Sequence, residues 1–447
     1  MEHICFQTGL LIAFGPPLIS RQCFPQPEGK QSKSLEPVLT SIPRSGSVEE
    51  PSISPGLTLL LASACGLIAA NLYYAQPLIG PISASLGMSV EAAGMIVMAT
   101  QLGYGAGLLL IVPLADLFEN RTLIVTMVLL VAVSLILAVL VPSAALFMVS
   151  ALAIGLCSVA VQILVPYAAH MAPAAKRGQV VGNVMSGLMF GIMLARPVSS
   201  FLTELMSWQA VYYLSSAVMV LLALTLRRVL PQRIPHPKPR YRDLLASMHR
   251  LVLTQPILRR RALYQAAMFG VFSLFWTTVP LYLSGPAFRL SHGEIALFAL
   301  AGAAGAVAAP IAGRVADRGR SRPATAFAML LASVSFPMVF LAPEGSSWAL
   351  GLLVLGAVLI DFGVSANVII GQRAIFTLGA DIRARLNGLY MATFFFGGAF
   401  GSAVGAWAYA EAGWSAVVWG GAIAPLLALA YFATEHPDLM REAAQEA

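Results

Sequence analysis

From Gly56 to Thr434 the chain is apolar almost without a break. Nothing constrains its fold more. A water-soluble domain carries roughly a quarter charged residues, whereas here 11% are charged and 58% hydrophobic. A soluble chain of this length would also divide into domains joined by polar linkers. The run therefore belongs in lipid. At roughly 30 residues for a span and its connection, it holds about twelve helices. Membrane strands would alternate every second residue, and these runs are continuous.

The same composition removes several function classes. The net charge is +7, but nucleic-acid binding needs a basic face on a folded polar domain, so no nucleic-acid partner is expected. Cys5, Cys23, Cys65 and Cys157 form no CxxC pair, and the histidines, among them His170, His236 and His292, are not spaced as ligands. Neither a disulfide framework nor a metal site is expected. The chain contains no P-loop, GxSxG or HExxH motif, so no catalytic residue and no cofactor is assigned.

The spacing predicts spans over residues 57–79, 91–115, 122–141, 144–167, 179–203, 209–230, 262–284, 291–316, 323–342, 347–372, 386–409 and 413–433. The loops after spans 2, 4, 6, 8 and 10 hold 20 of the 27 Lys and Arg residues, and the alternate loops hold only Arg289. Cytoplasmic loops carry the excess of basic residues, so this asymmetry predicts both termini in the cytoplasm. Residues 1–55, with four prolines between Pro16 and Pro27 and a polar run from Glu28 to Glu36, read as a mostly disordered cytoplasmic tail or as sequence preceding the true start. Residues 56–230 form the first six-helix bundle, 231–261 a basic linker, 262–434 the second bundle and 435–447 a C-terminal tail. The linker's amphipathic piece from Tyr241 to Leu253 reads as a tether on anionic lipid.

The two halves repeat each other. Asp116 and Arg121, after span 2, precede Asp317 and Arg322, after span 8, by 201 positions. Gly182, Met185, Phe190 and Gly191 in span 5 precede Gly388, Met391, Phe396 and Gly397 in span 11 by 206. Two regions in the same order at nearly one offset point to duplication.

With these residues in hand, the chain resembles the major facilitator superfamily over residues 56–434. The segment Gly313-Arg-Val-Ala-Asp317-Arg318-Gly319-Arg320-Ser-Arg322 is the fuller copy of that family's loop motif; the first copy keeps Asp116 and Arg121 but has Leu117 and Glu119. The runs Asn71-Leu-Tyr-Tyr-Ala-Gln-Pro77 and Gln101-Leu-Gly-Tyr104 resemble bacterial drug:proton antiporters. Span 5 keeps Gly187, Gly191 and Pro197 of the antiporter motif but has Arg196 before the proline.

The resemblance implies an all-α membrane protein: twelve transmembrane helices in two six-helix bundles rocking about a midplane site. It implies a monomeric multi-pass carrier in a bacterial inner membrane, with a small-molecule substrate, protons and the bilayer as its partners. Proton-coupled efflux is the leading expectation, and proton-linked uptake the alternative. A multispan enzyme would need a His/Asp/Glu cluster at one membrane face, and a channel would not need the loop motif twice.

A carboxylate at a helix end can face another helix's N-terminus or pair with Arg. Asp116 with Arg121, and Asp317 with Arg318 and Arg322, are thus candidates for a latch closing the cytoplasmic side; the plainer alternative is solvated loop charge. Two charges lie inside spans, Arg196 in span 5 and Asp361 in span 10. Intramembrane charges are costly and face a cavity or a partner. Together they are the candidate proton-coupling pair; the alternatives are a structural cation bonded to carbonyls or Glu204, and a packing hydrogen bond. In the resembled fold, spans 1, 4, 7 and 10 line the central path. The candidate cavity residues are Asn71, Tyr74, Gln76, Gln101, Tyr104, Gln162, Trp276, Thr277, Asn367, Gln372, Asn387 and Tyr390. This mostly apolar set with scattered amides suits an amphiphilic organic solute better than an ion or a polyphosphate.

Overall fold

The computed structural model describes residues 53–435, apart from 141–142, 174–175, 236–239, 305–307, 309–310, 316–317 and 380. Asp317, most of the N-terminal tail and nearly all of the C-terminal tail lie outside the described residues. What is described is all-helical. The first half comprises α1 (Pro55–Ala70), α2 (Ile79–Ser85), α3 (Val90–Leu110), α4 (Asn120–Leu140), α5 (Ala144–Ser158), α6 (Ala160–Met171), α7 (Arg177–Leu205) and α8 (Trp208–Val229). After the linker helix α9 (Tyr241–Thr254) come α10 (Pro256–Ser284), α11 (His292–Ala299), α12 (Ser321–Ser335), α13 (Ser347–Phe376) and α14 (Arg383–Ala433).

These helices give the expected twelve spans, some of them broken. Among the described residues, eight helical stretches are long and apolar enough to cross a membrane. The last of them, α14, holds two spans, joined where Ala412 and Gly413 leave helical geometry; Gly413 takes a φ of 68°, open to glycine without a Cβ clash. Span 4 is α5 plus α6, interrupted at Val159. Span 9 is α12 followed by a 3-10 turn, Pro337–Leu341.

Spans 1 and 8 differ most from continuous helices. In span 1, α1 stops at Ala70 and residues 71–78 form successive turns before α2. The Asn71 amide nitrogen bonds back to the carbonyls of Leu67 and Ile68, and Pro77 has no N–H for the helix ladder. In span 8, α11 tightens into a 3-10 turn, Leu300–Ala304, and residues 311–315 are helical again.

The two ends of the bundle are finished differently. Away from the basic loops, five even-numbered spans start on serine: the side chains of Ser89, Ser143, Ser207, Ser291 and Ser346 each accept an N–H of the first turn. Such caps satisfy orphan N–H groups without charge. At the basic end, arginines instead bond the carbonyls left free at the last turns of helices. Arg121 reaches Leu230 O at 3.2 Å, and Arg322 reaches Glu435 O at 3.0 Å. These are repeat-related ties from the start of the third helix of each half to the end of its sixth.

The duplication also shows in the packing. Between α1 and α7, a Cβ on Gly66, Gly187 or Gly191 would collide with the opposing backbone. Between α10 and α14, Gly397 and Gly401 sit equally tight against the backbones of Ala266 and Gly270. Small residues let membrane helices approach closely, where apolar burial alone supplies little attraction.

The halves meet along α3 and α14, where Gly94 abuts the Ser402 backbone and Gly105 the Phe396 ring. Away from the basic loops α7 also meets α11. There Ser200 donates to His292 O at 2.7 Å, and Gly293 N donates to Glu204 at 3.1 Å. The linker helix α9 buries Met248 and Leu251 against Leu258, Leu386 and Leu389, so its apolar face rests on the second half.

Candidate functional site

The two intramembrane charges lie in one place, between residues of the two broken spans. The turns after α1 present Tyr73 and Gln76, and α7 presents Arg196. From the second half, α10 presents Phe272 and Trp276, the 3-10 turn of span 8 presents Gly302, and α13 presents Asp361. Gln76, Arg196, Trp276 and Asp361 are all at most 5% exposed.

Arg196 is held by rings as much as by hydrogen bonds. Its guanidinium carbon lies 4.3 Å from the centre of the Trp276 ring, 5.0 Å from Phe272 and 5.2 Å from Tyr73. Its Nε donates to Gln76 Oε1 at 2.7 Å. Cation–π contacts of this kind gain strength once water is excluded. The same indole carries a polar contact as well: Trp276 Nε1 donates to Asp361 Oδ1 at 2.8 Å. One tryptophan therefore touches both charges.

Arg196 and Asp361 do not close into an ion pair. They face each other across Gly302: a Cβ there would lie 2.9 Å from Asp361 Oδ2 and 3.3 Å from Arg196 Nη1. Any larger residue would fill the gap between the charges. Arg196 Nη2, Gln76 Nε2 and Thr277 Oγ1 are buried without a hydrogen-bond partner. Buried donors are rarely left so.

The other expected cavity residues are dispersed. Gln101 crosses the interface to donate to Ser273 at 2.9 Å. Gln162 donates to Tyr104 OH at 3.0 Å, and the Tyr104 ring packs on Phe395. Asn367 donates to Gln265 at 2.7 Å, and Gln372 to Asn387 at 3.0 Å. Tyr390 lies against Gly371. Asn71 turns into the first half, where its Oδ1 accepts from Ser215. Tyr74 lines a separate groove of about 1320 Å³ between α1 and α7 that includes none of the buried charges. Tyr73, Phe272, Gln265 and Gly302 were absent from the sequence-based set. Helical spacing signals two of them: Tyr73 lies one turn from Gln76, and Phe272 one turn from Trp276.

At the basic end the loop residues separate. Burial pushes the Asp116 carboxyl up, while the charges of Arg233 and Arg385, the latter from the second half, pull the other way; Arg121 is spent on Leu230 O. Glu119 caps α4: its carboxylate accepts from the backbone N–H groups of Arg121, Thr122 and Arg233. Burial pushes the Glu119 carboxyl up, but these donors and the Thr122 hydroxyl outweigh it and hold the group below the usual carboxylate range. Arg318 is exposed. Arg322 reaches Glu435 O, and Glu435 itself pairs with Arg261 at 2.7 Å. Among the described residues no cluster of His, Cys, Asp and Glu is arranged to hold a metal ion.

Known proteins resemble this chain over most of its length. Residues 60–357 and 288–447 match the family described as Major Facilitator Superfamily. The chain is 42% identical over 377 residues to "Uncharacterized transporter YgaY" of Escherichia coli O157:H7, covering 84% of this chain and 95% of that one. Among solved structures it superposes on the nucleoside transporter NupG with a TM-score of 0.65 at 16% identity, over 84% of this chain and 98% of that one. It superposes on a D-xylose-proton symporter with a TM-score of 0.63 at 17% identity, over 86% and 98%. At such identities the two structures speak to the fold.

Proposed function

The chain belongs to the Major Facilitator Superfamily, whose members carry small molecules across lipid bilayers, and we propose that it is a proton-coupled carrier of a small organic solute with Asp361 as the coupling carboxyl. It is a membrane transporter and not an enzyme. The observation that carries the proposal is the position of Asp361. It is a buried carboxyl at the seam between the halves, bonded to Trp276 and facing a cation without pairing to it. A rocking motion that opens this seam first to one side and then to the other exposes the group to each in turn. A proton loaded on one side is then released on the other.

The resemblance to drug:proton antiporters favours efflux. A specific observation favours proton-linked uptake as the second reading. In the simplest antiport, solute and proton compete for one group, and Arg196 beside Asp361 repels a cationic solute that would do so. The basic-loop end is proposed to face the cytoplasm of a bacterial inner membrane. Asp116 with Arg385, rather than with Arg121, is the proposed latch contact between the halves, and the carrier is proposed to work as a monomer.

Transport into proteoliposomes with and without a pH gradient tests the coupling. Asp361→Asn is expected to abolish uphill transport and to leave solute exchange; normal gradient-driven transport by this variant would remove Asp361 from the mechanism. Single cysteines at Ser89 and Ser346 are expected to react with an impermeant thiol reagent from outside, and one at Ser321 only from inside. Outside labelling at Ser321 would reverse the orientation.

A further inference from the structure

We infer that the solute is a small organic monoanion, a carboxylate with an apolar body, and that Arg196 Nη2 and Gln76 Nε2 bind its oxygens. The inference rests on the carrier reading above and names the substrate class of the same site. Three observations carry it.

The first is the pair of unpartnered donors. Arg196 and Gln76 are locked together by the Nε–Oε1 bond at 2.7 Å, yet each keeps a further buried N–H group with no acceptor. The bond sets the two side chains next to each other, so both free donors lie in the same buried region. Two such donors match the two oxygens of a carboxylate. A buried donor without an acceptor costs free energy that a bound anion would recover.

The second is charge. Asp361 faces Arg196 across Gly302 without contacting it, and is bonded instead to the Trp276 indole. The guanidinium charge is thus stabilised by three ring faces rather than cancelled by a contacting carboxylate. One cation serves one anionic group. A dianion or polyphosphate would need further Arg or Lys, and among the described residues the other buried basic side chain, Arg261, is already paired with Glu435.

The third is placement. Tyr73, Gln76 and Arg196 come from the first half, and Phe272, Trp276 and Asp361 from the second. The site therefore opens only when the halves part, as a carrier's site must. Its walls are aromatic, which suits a flat or aliphatic body attached to the carboxylate.

The purified full-length protein in detergent tests this through thermal unfolding. The probes are two matched sets: benzoate, benzamide and benzylamine; and hexanoate, hexanamide and hexylamine. At least one carboxylate is expected to raise the unfolding temperature while its amide and amine do not. Gln76→Leu is expected to weaken that carboxylate's Kd about tenfold. Arg196→Gln is expected to abolish binding, and Arg196→Lys, which keeps the charge without the planar fork, to restore part of it. Stabilisation by an amine instead, by no carboxylate at all, or by a carboxylate indifferent to both Gln76→Leu and Arg196→Lys would overturn the inference.

The outcome is separable from the coupling proposal. Asp361→Asn removes a carboxylate that repels a bound anion, so it is expected to bind the carboxylate at least as tightly as the unaltered protein. Loss of uphill transport in Asp361→Asn without any carboxylate binding would sink the anion site alone. Carboxylate binding combined with intact uphill transport in Asp361→Asn would sink the coupling role alone.

Discussion

The two halves of this carrier share a backbone plan and differ in the chemistry that fills it. Both close their first and fifth spans on glycines, Gly66 with Gly187 and Gly191 in one, and Gly270 with Gly397 and Gly401 in the other. Both tie the start of the third span to the end of the sixth by an arginine on a carbonyl. Around these shared contacts the first half packs mostly aliphatic side chains. The second packs rings, with Phe269 stacked on Phe394 at 3.8 Å and Tyr282 on Trp414 at 4.3 Å. The second half also adds a buried ion pair, Arg261 with Glu435, where the first ends on carbonyls. Duplicated positions have been kept where backbones touch or a helix end needs a partner. Where only volume must be filled, the two copies have diverged.

This contrast can be broken, most sharply at the ion pair. Arg261→Ala strands the Glu435 carboxylate in a buried site, and the expected loss is about 3–5 kcal/mol, read as a lower unfolding midpoint in mixed detergent and SDS micelles. A loss no larger than that of a surface arginine would show that the second half does not depend on the pair.

Next in size are the glycine seams, where the halves are expected to behave alike. Gly191→Ala and Gly397→Ala each drive a methyl group into an opposing backbone, and overpacking of this kind costs about 1–3 kcal/mol. Equal losses in the same titration would support a shared seam; tolerance in one half only would mean that the two seams no longer do the same job.

The smallest effects are expected at the basic loop of the first half. Arg121→Ala removes one hydrogen bond to Leu230 O, worth about 1 kcal/mol, well below Arg261→Ala. Asp116→Asn is expected to leave the unfolding midpoint within about 0.5 kcal/mol of the original while raising thiol accessibility of nearby cysteines at the basic-loop end. Unchanged accessibility would reduce Asp116 to a solvated charge.

Much of this was legible in advance because each signal is local. An apolar run declares a span wherever it lies, and basic loops declare a side. A charge inside a run declares its own cost, which is why Arg196 and Asp361 stood out and were paired as a candidate. The breaks in spans 1 and 8 were harder to read. Pro77 and Asn71 mark the first, but similar residues also sit inside regular helices, as Pro197 does in α7. Tyr73, Phe272 and Gly302 look like ordinary lipid-facing or packing residues until their neighbours are known.

From the residues alone came the membrane environment, the twelve spans, the internal repeat and the two costly charges, because each depends on composition or spacing along one segment. The tertiary structure decided the rest: that Arg196 and Asp361 meet across Gly302, that Trp276 serves both, that Gln76 and Arg196 keep donors to spare, and that Arg121 and Arg322 brace their own halves. These relations depend on how far each helix is rotated and where it breaks. Rotation is set by close contacts among helices distant in the chain, and no single segment encodes it.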